Sequence, residues 1–447
     1  MLDINLFRVE KGGNPELVKE SQGKRGAPVE LVDKVIALDK EWIKLRFDMD
    51  ECNKEAKAVQ MRIAEKMKAK EPCEELKQER EAILKKGESV NKAMEEKHNQ
   101  IQEILGNMGN IVHSSVVASM DERDNNIVRK VGELRNDDTR YLLPHHQVLT
   151  RLQGYDQERG TKAAGHRGYY LMDWGVRLNQ ALIQYGMDFL REREYRLVQT
   201  PFMLKKDMMA KCAQLAEYDE TLYRVVYNVE DPSEDRYLIA TSEQPIACLH
   251  ADEWFEEPAK QLPLRYGGYS TCFRKEAGSH GKDTWGLFRI HQFEKIEQFV
   301  ICEPENSWQM FDQMIGISEE FYQSLGLAYQ IVGIVSGALN NAAAKKYDLE
   351  AWFPNMKGFK ELVSCSNCTD YQSRRLEIRC GMKKMGDREK RYVHCLNSTL
   401  CATERTLCCL LENYQTPDGL EVPEPMRKYL GGVEFIPFTA PADLKKK

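Results

Sequence analysis

Between positions 31 and 63 the apolar residues recur in alternating steps of four and three. They are Leu31, Val35, Leu38, Trp42, Leu45, Met49, Cys52, Ala56, Val59 and Ile63, with charges filling the positions between. That spacing is the seam of a coiled coil. Pro72, within Glu71-Pro72-Cys73, should break the helix. A second run then follows in a compatible register: Leu76, Ile83, Val90, Met94, Ile101, Ile104, Met108 and Ile111. Gly87 and Lys97 sit in this second seam and are expected to weaken it locally. So short a turn between two long helices makes them antiparallel neighbours. The result is an arm extending roughly 55 Å at the helical rise per residue.

From Asp121 to Gly168 the chain turns polar and irregular, as in DERDNN, RNDDTR and GYDQERGTKAAGHRG. Such a stretch reads as a linker leading into another domain. A helical pattern rich in Leu, Ile and Phe runs from about Asp173 to Arg193. After Pro201 the pattern predicts strands at Arg236–Ala240, Leu264–Phe273, Phe288–Ile301 and Tyr392–Leu396, with helices near Ser307–Leu325 and Thr403–Tyr414. Strands crowded together and helices gathered at the ends favour an α+β domain with a mostly antiparallel sheet over a parallel βαβ series. The expected division is 1–120 for an N-terminal domain carrying the arm (about 30–112), 121–170 for the linker, and 171–447 for the sheet domain with a short lysine tail.

Composition adds limits. Charged residues make up 30% and hydrophobic ones 42%, a globular balance, and the formal charge is -6. Nucleic acid is gripped through phosphate-neutralising cations, so any RNA contact must use a local basic patch. No apolar run reaches the length of about 18 residues that spans a bilayer. The opening MLDINLFRVEKGG has neither the apolar core of a signal peptide nor the acid-poor, Arg-rich character of a transit peptide. The 13 cysteines are scattered through apolar stretches, which suits reduced thiols better than a secreted disulfide framework. The cytoplasm is the expected compartment.

The usual phosphate cradles are missing. Gly281-Lys282-Asp283-Thr284 looks superficially like a Walker loop but lacks the preceding glycine, and Asp283 stands where Ser or Thr is required. Any ATP site must therefore rely on arginines and a metal set on a sheet. Residues Ser270 to Phe299 offer such a surface. Taken as two strands around a glycine-containing hairpin, they place Arg274 and Glu276 on one face of the first strand. Arg289, His291, Phe293, Lys295 and Glu297 share one face of the second, with Ile290 and Ile296 on the other. A solvated face laced with ion pairs is the plain explanation. An aromatic plane beside arginines also has a specific use, since the ring can stack on a purine while a guanidinium binds phosphate oxygens bidentately.

FRKEAGSHGKDTWGLFRIHQFEKIEQF resembles motif 2 of the class II aminoacyl-tRNA synthetases in its seryl form. The resemblance covers nearly the whole chain and looks closest to the eukaryotic cytosolic type. It includes the MLDINLFR start, the arm, TSEQP at Thr241–Pro245, ELVSCSNCTDYQSRR at Glu361–Arg375, and LNSTLCATERTLCCLLENYQ at Leu396–Gln415.

The resemblance implies an antiparallel sheet domain of the class II type flanked by helices and preceded by a two-helix coiled-coil arm. It implies activation of L-serine with ATP and transfer to the 3′ end of tRNA(Ser), leaving charging of the selenocysteine tRNA open. Arg274 would contact the ATP α-phosphate and the serine carboxylate, Glu276 the adenine side of the nucleotide, and Phe293 would stack on the base. Lys275, and Ile290, His291 and Gln292 leading to Phe293, would complete the adenosine site. Glu361 and Ser364, in a segment with Leu362 and Val363, would hold Mg²⁺, with Arg405 reaching the γ-phosphate. Strand alternation alone would not put Glu361 and Ser364 on one face, so a bulge or strand end is required there. Serine would be bound by Thr241, Ser242, Glu243, Arg274, Glu297, Asn397 and Thr399. For Ser, Thr and Asn the plain alternative is a capping or turn role. The arm would embrace the tRNA, with Lys54, Lys57, Arg62, Lys66, Lys68 and Lys70 as phosphate contacts, and the protein would be a homodimer with no membrane association.

Two positions depart from the family pattern. Glu194 stands where the first motif usually has glycine, and Ala402-Thr403-Glu404-Arg405 lacks the glycines common in the wider class. Three rival readings remain. Cys365 and Cys368, with Cys380 and Cys395 downstream, invite a zinc site, but the second pair is not C-x-x-C and no structural zinc is expected. A relative that passes serine to a carrier protein would not need the arm. An inactive coiled-coil scaffold would not need Arg274, Glu276, Glu297, Glu361 and Arg405 together.

Overall fold

The computed structural model describes residues 1–136, 142–213, 221–276, 286–382 and 390–440. The Gly281-Lys282-Asp283-Thr284 segment, part of RNDDTR, and the lysine tail lie outside the described residues. The chain forms two compact units, Met1–Ile111 and the remainder from Val112.

In the first unit, helices α1 (Glu30–Lys68) and α2 (Glu74–Asn107) form the antiparallel arm, joined by a turn containing Pro72. With 39 residues, α1 reaches roughly 58 Å at the rise per residue. Its seam is the expected one: Val35, Leu38, Cys52, Val59 and Ile63 are buried, as are Leu76, Ile101 and Met108 of the second run. At the base, Leu2, Phe7, Val18, Val32, Val35, Leu38, Ile101, Leu105 and Met108 close into a small core. Asp39 is buried beside it, and Arg8 binds both carboxylate oxygens at 2.7 Å. The two seam irregularities are accommodated differently. Lys97 turns aside to pair with Glu41 at 2.6 Å, whereas Gly87 is buried against α1.

The second unit is built on a sheet of eight strands among the described residues. In chain order they are β1 (Asn126–Val131), β2 (Arg196–Gln199), β3 (Leu264–Phe273), β4 (Gln292–Cys302), β5 (Tyr329–Gly333), β6 (Lys345–Phe353), β7 (Gly358–Asn367) and β8 (His394–Ala402). Their order across the sheet is β1-β5-β6-β7-β8-β4-β3-β2. Every neighbouring pair is antiparallel except β2 with β3. Helices α3 (Asp173–Arg191), α4 (Ser307–Ser324) and α5 (Thr403–Tyr414) contribute to the main core. The period of two sorts β4 cleanly. Ile296, Gln298 and Val300 face the helices, and Gln298 donates to Met314 O and Ser318 Oγ of α4 while accepting from Tyr195. Gly186 on α3 faces Ile296 and Leu400 of the sheet at ordinary contact distance.

Several boundaries differ from the sequence expectation. The strand expected at Phe288–Ile301 begins only at Gln292, because Leu287, Phe288 and Ile290 are drawn into buried positions before it. The strand expected at Tyr392–Leu396 runs instead over His394–Ala402. Within 121–170, Asn126–Val131 is an edge strand paired with β5. Its residues are exposed but for the half-buried Val131, so no alternating pattern marks it. Glu194, in the glycine's place, adopts a left-handed φ of 64° at the end of α3. There Tyr195 N–H closes a six-to-one bond on Leu190 O at 3.1 Å, the geometry that glycine usually supplies after a helix.

A methyl group at Gly87 would meet Met49 and Cys52 at 3.9 Å, ordinary van der Waals contact. Gly87→Ala should therefore stabilise the arm by about 0.5–1 kcal/mol, the helix-interior cost of glycine. This would be read as a higher unfolding midpoint by circular dichroism, and a lowered midpoint would mean that the methyl group does not fit.

Candidate active site

On the sheet face away from α4, a cavity of about 590 Å³ opens above β4, β7 and β8. From β4, Phe293, Lys295 and Glu297 reach it at the strand period. Two irregularities in the ladder complete the lining. Ile296 pairs with Cys401 but Glu297 with Thr399, so Leu400 is an extra residue that brings Thr399 opposite Glu297. Likewise Leu349 pairs with Val363 but Glu350 with Glu361, leaving Leu362 as the extra residue. This is the bulge that a shared face for Glu361 and Ser364 requires, and both side chains line the cavity. Gly268, opposite Glu297, lets the segment Thr241–Cys248 lie close over β3. A Cβ there would stand 2.5 Å from Ile246 Cδ1 and 2.7 Å from Ser242 Oγ.

One end of the cavity gathers arginines and rings. Arg274 lies past the end of β3, its guanidinium 5.2 Å from the Phe293 ring centre and its Nε donating to Ala240 O at 3.3 Å. Glu276 has a left-handed φ of 49° and accepts from Arg289 at 3.2 Å. These two residues reach the cavity from the irregular segment after β3, not through strand alternation. Arg405, at the start of α5, donates to Phe288 O at 3.3 Å and Glu361 O at 3.1 Å. Burial pulls the Arg405 guanidinium down from its ordinary value, and Glu361 opposes that shift; an arginine stays charged regardless.

The middle of the cavity carries Glu361, Ser364 and Lys346. Behind them burial pushes the Asp348 carboxyl up to about 7; Lys346 opposes this, Glu361 adds to it, and a hydrogen bond from Ser364 also opposes it. Among the described residues no group of three or more His, Cys, Asp or Glu could hold a metal. One carboxylate and one hydroxyl on the wall of a nucleotide-sized cavity fit a magnesium ion that takes its remaining oxygens from phosphates and water.

The other end is lined by Thr241, Glu243, Glu297, Asn397 and Thr399. Thr241 Oγ1 accepts the Glu243 N–H at 3.3 Å, so it serves the turn as well as facing the cavity. Glu243 accepts from Gln372 at 2.7 Å, Thr399 donates to Glu297 at 3.3 Å, and Asn397 donates to the Cys368 sulfur at 3.5 Å.

Of the residues singled out in the sequence, Ser242, Lys275, His291, Gln292 and Val363 do not line the cavity, whereas Leu362 and Ile290 do. Ser242 and Val363 are fully buried. His291 closes the base of the hairpin, its carbonyl accepting from Arg274 N–H and its ring bonded to Arg274 O, both at 2.9 Å. Lining residues that the sequence did not single out include Lys346, Gln372, Arg375 and Glu404. Glu404 is buried and accepts from Glu294 N–H at 3.0 Å, and burial together with the neighbouring Glu294 carboxyl raises it well above the usual range. Gln372 and Arg375 belong to the short helix Tyr371–Leu376, whose own spacing carries no signal for the cavity.

Two family profiles match the chain. The tRNA synthetase class II core domain (G, H, P, S and T) covers residues 227–414, and the seryl-tRNA synthetase N-terminal domain covers residues 1–112. The cytoplasmic serine–tRNA ligase of Schizosaccharomyces pombe is 61% identical, the match covering 98% of this chain and 97% of that protein. The Saccharomyces cerevisiae counterpart is 56% identical over 100% of both. Among solved structures, the cytoplasmic serine–tRNA ligase from Naegleria fowleri in complex with AMP matches with a TM-score of 0.87 and 49% identity, covering 98% of this chain and 99% of that one. The seryl-tRNA synthetase from Pyrococcus horikoshii complexed with ATP matches with a TM-score of 0.88 and 38% identity, covering 98% and 100%. Full-length likeness of this order, over both the arm and the sheet domain, means that the chain belongs to the seryl-tRNA synthetase family.

Proposed function

We propose that this protein is a cytoplasmic serine–tRNA ligase. It joins L-serine to ATP as seryl-adenylate with release of pyrophosphate, then passes the seryl group to the 3′ end of tRNA(Ser). The observation that carries this reading is the content of the cavity above β4, β7 and β8: arginines and an aromatic ring at one end, hydroxyl- and amine-binding groups at the other, and oxygen ligands between. Its relatives from fission yeast and budding yeast carry that activity and compartment in their names.

In this reading Phe293 stacks on adenine while Glu276, held by Arg289, reads its polar edge. Arg274, over Phe293 and donating to Ala240 O beside Thr241, binds both the α-phosphate and the serine carboxylate, bringing the attacking oxygen in line with the phosphorus. Arg405 takes the γ-phosphate. Glu361 and Ser364 hold Mg²⁺, which when bound supplies neutralising charge to the phosphates. Glu243 and Thr241 receive the serine ammonium; Glu297, Thr399 and Asn397 face its hydroxyl. Positioning and charge neutralisation carry most of the barrier lowering in phosphoryl chemistry, and no protein base is assigned. Alanine is rejected because it would leave buried hydrogen-bonding groups unpaired, and threonine because its methyl group meets the wall. The arm, with Lys54, Lys57, Arg62, Lys66, Lys68 and Lys70 along its outer half, grips tRNA phosphates, and the protein works as a homodimer.

Arg274→Ala should abolish serine-dependent ATP–pyrophosphate exchange while leaving the unfolding midpoint unchanged; near-normal exchange would refute its role. Chelation with EDTA should stop exchange, and added Mg²⁺ should restore it. Activity persisting without a divalent ion would remove Glu361 and Ser364 from the mechanism. Excising residues 46–94 and closing α1 onto α2 with a short turn keeps the basal core of the first unit intact. Exchange should stay near normal while tRNA charging falls by about tenfold or more, as expected for lost phosphate contacts. Equal loss of both reactions would count against a tRNA role for the arm.

A further inference from the structure

Lys295 is a buried lysine in the wall of the site with no part in the mechanism above. It is 6% exposed and Glu297, two residues on along the same strand face, is 2% exposed. The Lys295 ammonium pairs with Glu297 Oε2, and Thr399 Oγ1 donates to that same oxygen at 3.3 Å. Both protein partners thus occupy one carboxylate oxygen, and among the described residues none bonds to Oε1. Burying a lysine costs several kcal/mol unless a well-placed counter-charge accompanies it. A neutral residue could have packed against Ser270, which faces Lys295 across β3.

We propose that Lys295 is a positioning residue that sets specificity for the serine hydroxyl. It clamps Oε2 and cancels the net charge of Glu297, so that Oε1 is presented as a fixed acceptor for a neutral hydroxyl donor. An unpaired carboxylate at this place would favour a cation and could swing between rotamers. The clamped one holds a single orientation, with Thr399 opposite as the second restraint. A ligand that brings an O–H to Oε1 completes the set, and one without it leaves a buried acceptor unsatisfied. The inference rests on the assignment of Glu297 to the serine end of the cavity.

The test is a double-mutant cycle between Lys295→Met and Glu297→Gln, read by ATP–pyrophosphate exchange with serine and ATP varied separately. Lys295→Met should raise the KM for serine by about 10- to 100-fold, the worth of a hydrogen bond to a charged group, while the KM for ATP stays near that of the unmodified protein. Because Lys295 acts through Glu297, its removal in the Glu297→Gln background should add little. A serine KM within twofold of the parent in Lys295→Met, an equal shift in the ATP KM, or full additivity in the cycle would each overturn the proposal. Should Lys295→Met fail to fold by circular dichroism, Glu297→Gln is compared with the double variant, whose pair is neutral. Equal serine KM values there support the proposal, and a further loss overturns it. If the unmodified protein shows no serine-dependent exchange, the assignment of serine as substrate falls, and the inference with it.

Discussion

On the polar face of the central sheet, Lys295 and Glu297 are buried side by side on one strand. Each ionised group would cost several kcal/mol to hold away from water without the other. The same constraint governs the rest of the cavity wall. Glu276 lies between Arg289 and Arg167, Arg405 leans on the carbonyls of Phe288 and Glu361, and Glu243 is held by the Gln372 amide. A substrate rich in phosphate and carrying an ammonium and a carboxylate completes charges already arranged to receive it. Such preorganisation is what lets a site lower a barrier by electrostatics without reorganising during the reaction.

The opposite face makes this arrangement affordable. Gln298, Val300 and Ile296 of β4 pack against α3 and α4, and Phe311, Phe321, Tyr322 and Leu400 are fully buried around them. A strand sealed on one side cannot slip its register by one residue without moving apolar side chains into the cavity and charges into the core. The register of Lys295 and Glu297 is thus held from the side that has no chemistry. The bulges at Leu400 and Leu362 interrupt the ladder at the cavity, and each turns a functional residue toward it. Glu194 shows a similar tolerance at a helix end, where a non-glycine residue holds a left-handed backbone while the six-to-one bond persists.

The first unit obeys simpler rules. Its seam residues are spaced by the helix itself; Lys97 is absorbed by a pairing with Glu41, and Gly87 is buried against α1 with room for a methyl group. A long two-helix arm of this kind needs only local periodicity to form, and its outer charges pair across short spacings, as Lys54 does with Glu51.

Much of this was legible along the chain, for reasons of period. The arm, the turn at Pro72, α3, α4, α5 and strand Leu264–Phe273 all follow from spacing, because helix and strand repeats depend on neighbours in sequence. The shared face of Phe293, Lys295 and Glu297 was legible for the same reason. The residues that line the remaining wall were not. Glu361 and Ser364 share a face only through a bulge, Arg274 and Glu276 lie in the irregular segment past the end of β3, and Gln372, Arg375 and Lys346 come from segments whose own pattern says nothing about the cavity. The edge strand Asn126–Val131 was hidden because it shows almost no buried side to set an alternation. Sequence by itself determined the periodic elements and the class of chemistry. Only the tertiary structure decided that Thr399 donates to the Glu297 oxygen that Lys295 also holds, because that depends on β4 and β8 meeting across the sheet with a bulge at Leu400, a contact between segments about a hundred residues apart that no local period encodes.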